Sequence, residues 1–231
     1  MHPLVARLSD PDPAVRLDAC RAAPRDPSAV LLADALLPLL GDPDPAVAAA
    51  ASDALAAIAS GDASVLPHLD AALRGENRDA RWWSAFTLAR LGPPKIKLLP
   101  VLLDTLEHPD GGRRWSAAKL LVELGRLEGE VLPVLLHFAG GGERPTARRM
   151  ALFALRELAP DRPETTRVLL EASRSDDTPV RRAALSALAV VLEDADAARE
   201  RLAEAAVRDA DPASRRLAEA ALAEMERRRT P

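Results

Sequence analysis

Apolar positions in this chain recur in a two-part phrase. The first part is a Leu-rich stripe, as in Val65-Leu66-Pro67-His68-Leu69, Leu98-Leu99-Pro100-Val101-Leu102 and Val131-Leu132-Pro133-Val134-Leu135. The second follows an Asp/Pro/Gly turn and runs as Ala-x-x-Ala-Leu-x-x-Leu. Its phase residues are Val15, Val47, Ala80, Arg113, Ala147, Val180 and Ser214, separated by 32, 33, 33, 34, 33 and 34 residues. Counting the phase residue as zero, small or apolar residues fall mostly at offsets 4, 7, 8 and 11. At about 100° per residue these share one face with offset zero, which predicts a helix with a single buried stripe. Pro67, Pro100 and Pro133 recur every 33 residues and predict helix starts at or just before them, where a missing N–H leaves no intrahelical bond unmade.

A unit of two helices repeated end to end predicts an all-α fold, a solenoid of about seven helical hairpins in which neighbours supply each other's core. The expected units are roughly 1–27, 28–60, 61–93, 94–126, 127–160, 161–193 and 194–231, forming a single domain over 1–231. The terminal units are expected to act as caps. Pro24 shortens the first unit, and Glu224, Glu226 and Arg227-Arg228-Arg229 make the last helix polar, so the chain is expected to be complete rather than a piece of a longer array.

Two charged positions recur with the repeat. Arg16, Arg81, Arg114, Arg148, Arg181 and Arg215 follow the phase residue directly, with Ala48 as the exception. Asp12, Asp44, Asp110, Asp177 and Asp211 precede it by three, with Asn77 and Arg144 as departures. Such an aspartate can cap the free N–H groups of a helix start and accept from an arginine of its own or the next repeat. Asp12, Arg16, Arg81, Asp110, Arg114, Arg148, Asp177, Arg181, Asp211 and Arg215 are therefore read as a structural ladder.

Asp12-Pro13-Ala14-Val15-Arg16 with Ala19, Asp44-Pro45-Ala46-Val47 with Ala54-Leu55, and Thr178-Pro179-Val180-Arg181-Arg182-Ala183-Ala184 with Ala187-Leu188 resemble the HEAT-repeat superfamily, in particular the bacterial type found in phycobilisome lyase-like proteins. The resemblance covers nearly the whole chain. It implies a right-handed superhelix, first helices on its convex side and second helices lining its concave side, and a protein-binding scaffold without catalytic activity. Fold does not name the partner.

On second helices so placed, offsets 2 and 6 lie opposite the buried stripe and should face the groove. Offset 2 carries Leu17, Ala49, Trp82, Trp115, Arg149, Arg182 and Arg216; offset 6 carries Arg21, Asp53, Phe86, Lys119, Phe153, Ser186 and Ala220. Five of the six aromatic residues, Trp82, Trp83, Phe86, Trp115 and Phe153, sit on second helices of the central repeats. Large aromatics beside Arg and Lys dominate binding hot spots. The expected partner-binding groove is Trp82, Phe86, Trp115, Lys119, Arg149, Phe153 and Arg182, taking a protein segment with acidic and apolar residues.

Composition narrows the function classes. The chain has 231 residues, 48% hydrophobic but only 3% aromatic, so its cores must be built from Ala, Leu and Val. Thirty-one basic against 35 acidic residues argue against a duplex-binding surface. His2, His68, His108 and His137 are scattered and Cys20 is alone, so neither a metal site, a cofactor nor a catalytic triad is expected. Gly140-Gly141-Gly142 lacks the Lys-Ser/Thr of a phosphate loop and reads as a turn between helices. The start has no signal-peptide pattern and no apolar run is long enough to span a bilayer, so a cytoplasmic monomer is expected. Two other readings stay open. A DNA-alkylation-repeat-like glycosylase would use Trp82, Trp115 and Arg149, but Phe86 and Lys119 stand where its catalytic Asp would follow. A bilin-lyase-like maturation role rests on the repeat type and the aromatic groove.

Overall fold

The computed structural model describes residues 2–141, 144–191 and 195–229, with side chains up to Arg227. Gly142 of the glycine turn and the Arg228 and Arg229 side chains lie outside this set. Among the described residues the chain is all-α, with no strand, and its fourteen helices pair as hairpins. The pairs are α1 (Pro3–Leu8) with α2 (Pro13–Ala22), α3 (Ala29–Leu36) with α4 (Pro45–Gly61), α5 (Leu66–Ala72) with α6 (Arg78–Leu91), and α7 (Leu99–Thr105) with α8 (Gly111–Leu127). They continue as α9 (Val131–Gly140) with α10 (Pro145–Leu158), α11 (Pro163–Ala172) with α12 (Thr178–Leu188), and α13 (Ala195–Arg208) with α14 (Pro212–Arg229). This is a fold of the α-solenoid type. Pro67 and Pro100 take second positions in α5 and α7, and Pro133 the third in α9, as their missing N–H groups allow.

The chain divides into two compact units, residues 1–102 and 103–231, with the division inside α7. In the first unit α4 packs between α2 and α6. Ala48, Ala51 and Ala54 of α4 are buried, and their short side chains let the neighbouring helix axes come close. Leu32, Leu36, Leu40 and Leu55 fill the space beneath. One polar bond crosses this core: Ser52 Oγ lies 2.8 Å from Thr87 Oγ1, which itself donates to the Trp83 carbonyl at 2.7 Å.

In the second unit α8 packs on α10, α10 on α12 and α12 on α14. Ala117, Ala118, Leu121 and Leu124 of α8 are buried, as are Ala147, Ala151, Leu152 and Leu155 of α10. Gly125 marks the tightest approach: a Cβ there would stand 2.5 Å from Leu158 Cδ2. Arg201 of α13 is 8% exposed and reaches across to α11, donating from Nε to Ser173 Oγ at 2.9 Å and from Nη2 to the Ser173 carbonyl at 2.6 Å. Burial pushes its guanidinium below the ordinary arginine value.

Candidate functional site

The recurrent turn before each second helix organises the surface on which partners are expected to act. Asp12 accepts from the Ala14 N–H at 2.9 Å, Asp44 from Ala46 at 2.8 Å, Asp110 from Arg113 at 2.8 Å, Asp177 from Val180 at 2.8 Å and Asp211 from Ser214 at 2.8 Å. Asn77 caps α6 in the same way, through the Ala80 N–H. Arg144 offers no side-chain cap to α10.

The arginines do something other than meet these caps. Each bends back over its own turn to donate to the carbonyls six and five residues before it. Arg16 reaches Asp10 and Pro11, Arg81 Gly75 and Glu76, and Arg114 His108 and Pro109. Arg181 reaches Ser175 and Asp176, and Arg215 Asp209 and Ala210. Arg148 departs, donating to the Ala139 carbonyl at 2.7 Å. Both carbonyl bonds of Arg16 and of Arg181 come from Nη1, so each can fork onto a carboxylate through Nε and Nη2 at the same time, which a single lysine ammonium could not.

The carboxylates that Arg16 and Arg181 reach in the next repeat sit five residues before its phase position, while Asp211, three before it, takes the fork of Arg182. Arg16 forks onto Asp42 at 2.7 and 2.9 Å, and Arg181 onto Asp209 at 3.0 and 3.3 Å. The expected pairing with the residue three before the phase is thus corrected for Arg16 and Arg181. The same −5 position accepts the cap residue's own N–H: Asp10 from Asp12, Asp42 from Asp44, His108 from Asp110, Ser175 from Asp177 and Asp209 from Asp211. Asp-x-Asp-Pro at residues 10–13, 42–45 and 209–212 was the sequence signal for it. Burial raises the Asp42 and Asp209 carboxyls, but the arginine forks and backbone N–H donors outweigh it and hold both below the ordinary aspartate value.

Of the expected groove residues, Trp82 and Phe86 belong to the first unit. Trp82 is 2% exposed, so its presentation on an open groove is corrected. Its indole lies along α6 against Phe86, ring centroids 5.5 Å apart and planes 30° apart, a reach that a bare helical wheel does not capture. Trp83 meets the Phe86 ring edge-on at 5.7 Å. The Arg90 guanidinium covers that ring at 5.8 Å while Nη1 donates to Asp53 at 2.6 Å.

Trp115, Lys119, Arg149, Phe153 and Arg182 belong to the second unit. Trp115 is 47% exposed, and its ring lies 4.1 Å from that of Phe153, centroid to centroid, across the α8–α10 packing. Lys119 is exposed and Arg149 half-buried, and no hydrogen bond or ion pair joins either side chain to a described residue. Arg182 is committed elsewhere, forking onto Asp211, the residue just before α14, at 2.7 and 2.8 Å. That fork, the Ser214 hydroxyl and the Ser214 N–H hold the Asp211 carboxyl far below the ordinary value despite burial.

Among the described residues no three His, Cys, Asp or Glu side chains come together as a metal site. No helix there is long and apolar enough to cross a membrane. Cys20 is buried, and burial above all, with the nearby Asp42 charge, pushes its thiol up to about 11.

A family model described as HEAT repeats matches residues 1–82 and 66–156. No curated protein matches the chain. Among solved structures, the archaeal HEAT-like repeats protein from Thermococcus onnurineus NA1 is 18% identical with a TM-score of 0.55, over 97% of this chain and 96% of that one. A chain of the Kap95p–RanGDP structure is 14% identical with a TM-score of 0.59 over 96% of this chain, which spans only 36% of its length. At such identities the likeness concerns the fold alone. With the family model covering residues 1–156 of 231, this chain belongs to the HEAT-repeat family.

Proposed function

We propose that this protein is a non-enzymatic scaffold that binds a partner protein through the second-helix face of its second unit. HEAT repeats serve in general as protein-interaction scaffolds. The observation that carries the reading is Trp115. A large ring left 47% exposed, in a chain with only six aromatic residues, is an unspent anchor. Phe153 backs it at 4.1 Å and holds its orientation, so little side-chain freedom is lost when a partner covers it. Lys119 and Arg149 beside it suit a segment that carries apolar and acidic side chains. Trp82 has no such role in this reading, because its ring is already covered.

The test is a nuclease-treated pull-down from lysate of the native organism, with wild type and Trp115→Ala side by side and the fold checked by circular dichroism. A protein retained by wild type and lost from the variant is the expected result. Identical protein sets on both baits would overturn the assignment of the surface.

A further inference from the structure

The four residues at offsets 2 and 6 of α8 and α10 form a two-by-two pattern. Trp115 and Lys119 lie one turn apart on α8, and Arg149 and Phe153 one turn apart on α10. The rings of Trp115 and Phe153 meet at 4.1 Å, so the aromatic pair occupies one diagonal. The other diagonal belongs to the cations, Arg149 toward the helix N-termini and Lys119 toward the C-termini. Four residues of helix rise about 6 Å, and packed helix axes stand about 8–10 Å apart. The two cations therefore spring from backbone positions roughly 11 Å apart, on opposite sides of an exposed apolar platform.

Among the described residues neither cation meets a carboxylate. No side-chain hydrogen bond or ion pair links Lys119 or Arg149 to a described residue, and Glu123, one turn beyond Lys119, does not pair with it. The contrast with their surroundings is chemical: Arg148 is held by the Ala139 carbonyl, and Arg156 sits 3.1 Å from Glu157. Cations with no partner among the described residues, on either side of an exposed ring, match carboxylates on either side of an apolar side chain.

We infer that this lattice reads a spacing. Resting on the scaffold function above, the occupant is a partner-protein segment with a carboxylate on either side of a large apolar side chain, all three on one face. In an extended chain, where only every second side chain faces the surface and the rise is about 3.3 Å per residue, this is an acidic residue, any residue, an apolar residue, any residue and a second acidic residue, its ends about 13 Å apart along the backbone and met by the long Lys119 and Arg149 side chains. The apolar side chain lies on the Trp115–Phe153 pair, and the carboxylates reach Arg149 and Lys119.

The experiment is selection of a random dodecapeptide display library on the full chain, in parallel on Trp115→Ala and on the Lys119→Glu/Arg149→Glu double variant. Wild type is expected to enrich peptides that need Trp115 and carry acidic residues four positions apart with an apolar residue midway between them. On the double variant the same peptides should bind about five- to tenfold more weakly, the range two exposed charge pairs can supply, and Lys or Arg should replace the acids in newly selected peptides. Trp115-dependent peptides without that acidic spacing, or with a charge preference the double variant leaves unchanged, would overturn the inference while leaving the scaffold surface standing. Absence of any Trp115-dependent peptide would overturn both. A single-stranded DNA oligonucleotide that displaces the selected peptides at equal concentration would show a general polyanion surface and overturn the assignment to a peptide.

Discussion

The bond between Ser52 and Thr87 predicts a mutation that harms alone and is repaired by a second loss. Both residues are 0% exposed, and the two hydroxyls are 2.8 Å apart between α4 and α6. Thr87 Oγ1 donates to the Trp83 carbonyl, so the proton between the hydroxyls comes from Ser52. Thr87→Val keeps the shape of the side chain but leaves the Ser52 O–H without its acceptor, at a cost of about 1–3 kcal/mol. Ser52→Ala leaves Thr87 still bonded to Trp83 and should cost under about 1 kcal/mol. The double variant has no stranded donor, so Ser52→Ala should be stabilising when added to Thr87→Val. Urea denaturation of the four proteins, with hydrogen exchange at α4 and α6 amides to localise the effect, measures the coupling. If the double variant is less stable than Thr87→Val, the assignment of the proton, and with it the account of this buried bond, is wrong.

Gly125→Val should lose about 1–3 kcal/mol, because its side chain enters the space of Leu158, 2.5 Å from the added Cβ; adding Leu158→Ala should restore part of the loss, and a variant as stable as wild type would contradict the packing. Acid should unfold the protein from its junctions. Asp42, Asp209 and Asp211 titrate below their unfolded values, so the stability they contribute is complete above about pH 4 and is lost as pH falls through the folded values. Thermal scans at pH 7, 5, 4, 3 and 2 should show these pairs costing nothing down to about pH 4 and Tm falling progressively below it, and a Tm unchanged between pH 4 and 2 would count against them. Cys20, buried and with its thiol raised to about 11, should resist a thiol reagent at pH 8 until denaturant is added; rapid labelling of the folded chain would refute its placement.

The division between what was legible and what was not follows the range of the forces. The 33-residue recurrence, the proline-marked starts and the aspartate caps depend on residues within a turn or two of one another, and sequence alone determined the all-α repeat and its helix phases. The caps at Asp12, Asp44, Asp110, Asp177 and Asp211 were readable because the side chain bonds two or three residues ahead. The destination of the arginines was not, because Asp42 lies 26 residues beyond Arg16 and Asp209 lies 28 beyond Arg181. Only packing of one turn against the next decides between the −5 and −3 carboxylates.

The groove residues divide on the same principle. Offset along a helix sets the direction of a Cβ, and it places Trp82, Trp115, Arg149 and Arg182 alike. Tertiary structure separated them: Trp82 buried on Phe86, Trp115 half-exposed on Phe153, Arg182 forked onto Asp211 and Arg149 with no partner among the described residues. Long side chains are the ones for which a helical wheel decides least, since an indole or guanidinium reaches several ångströms beyond its Cβ and is claimed by whichever neighbour lies there. Sequence by itself determined the repeat and its polarity; which aromatic is left exposed and which arginine is paired was decided by contacts between repeats.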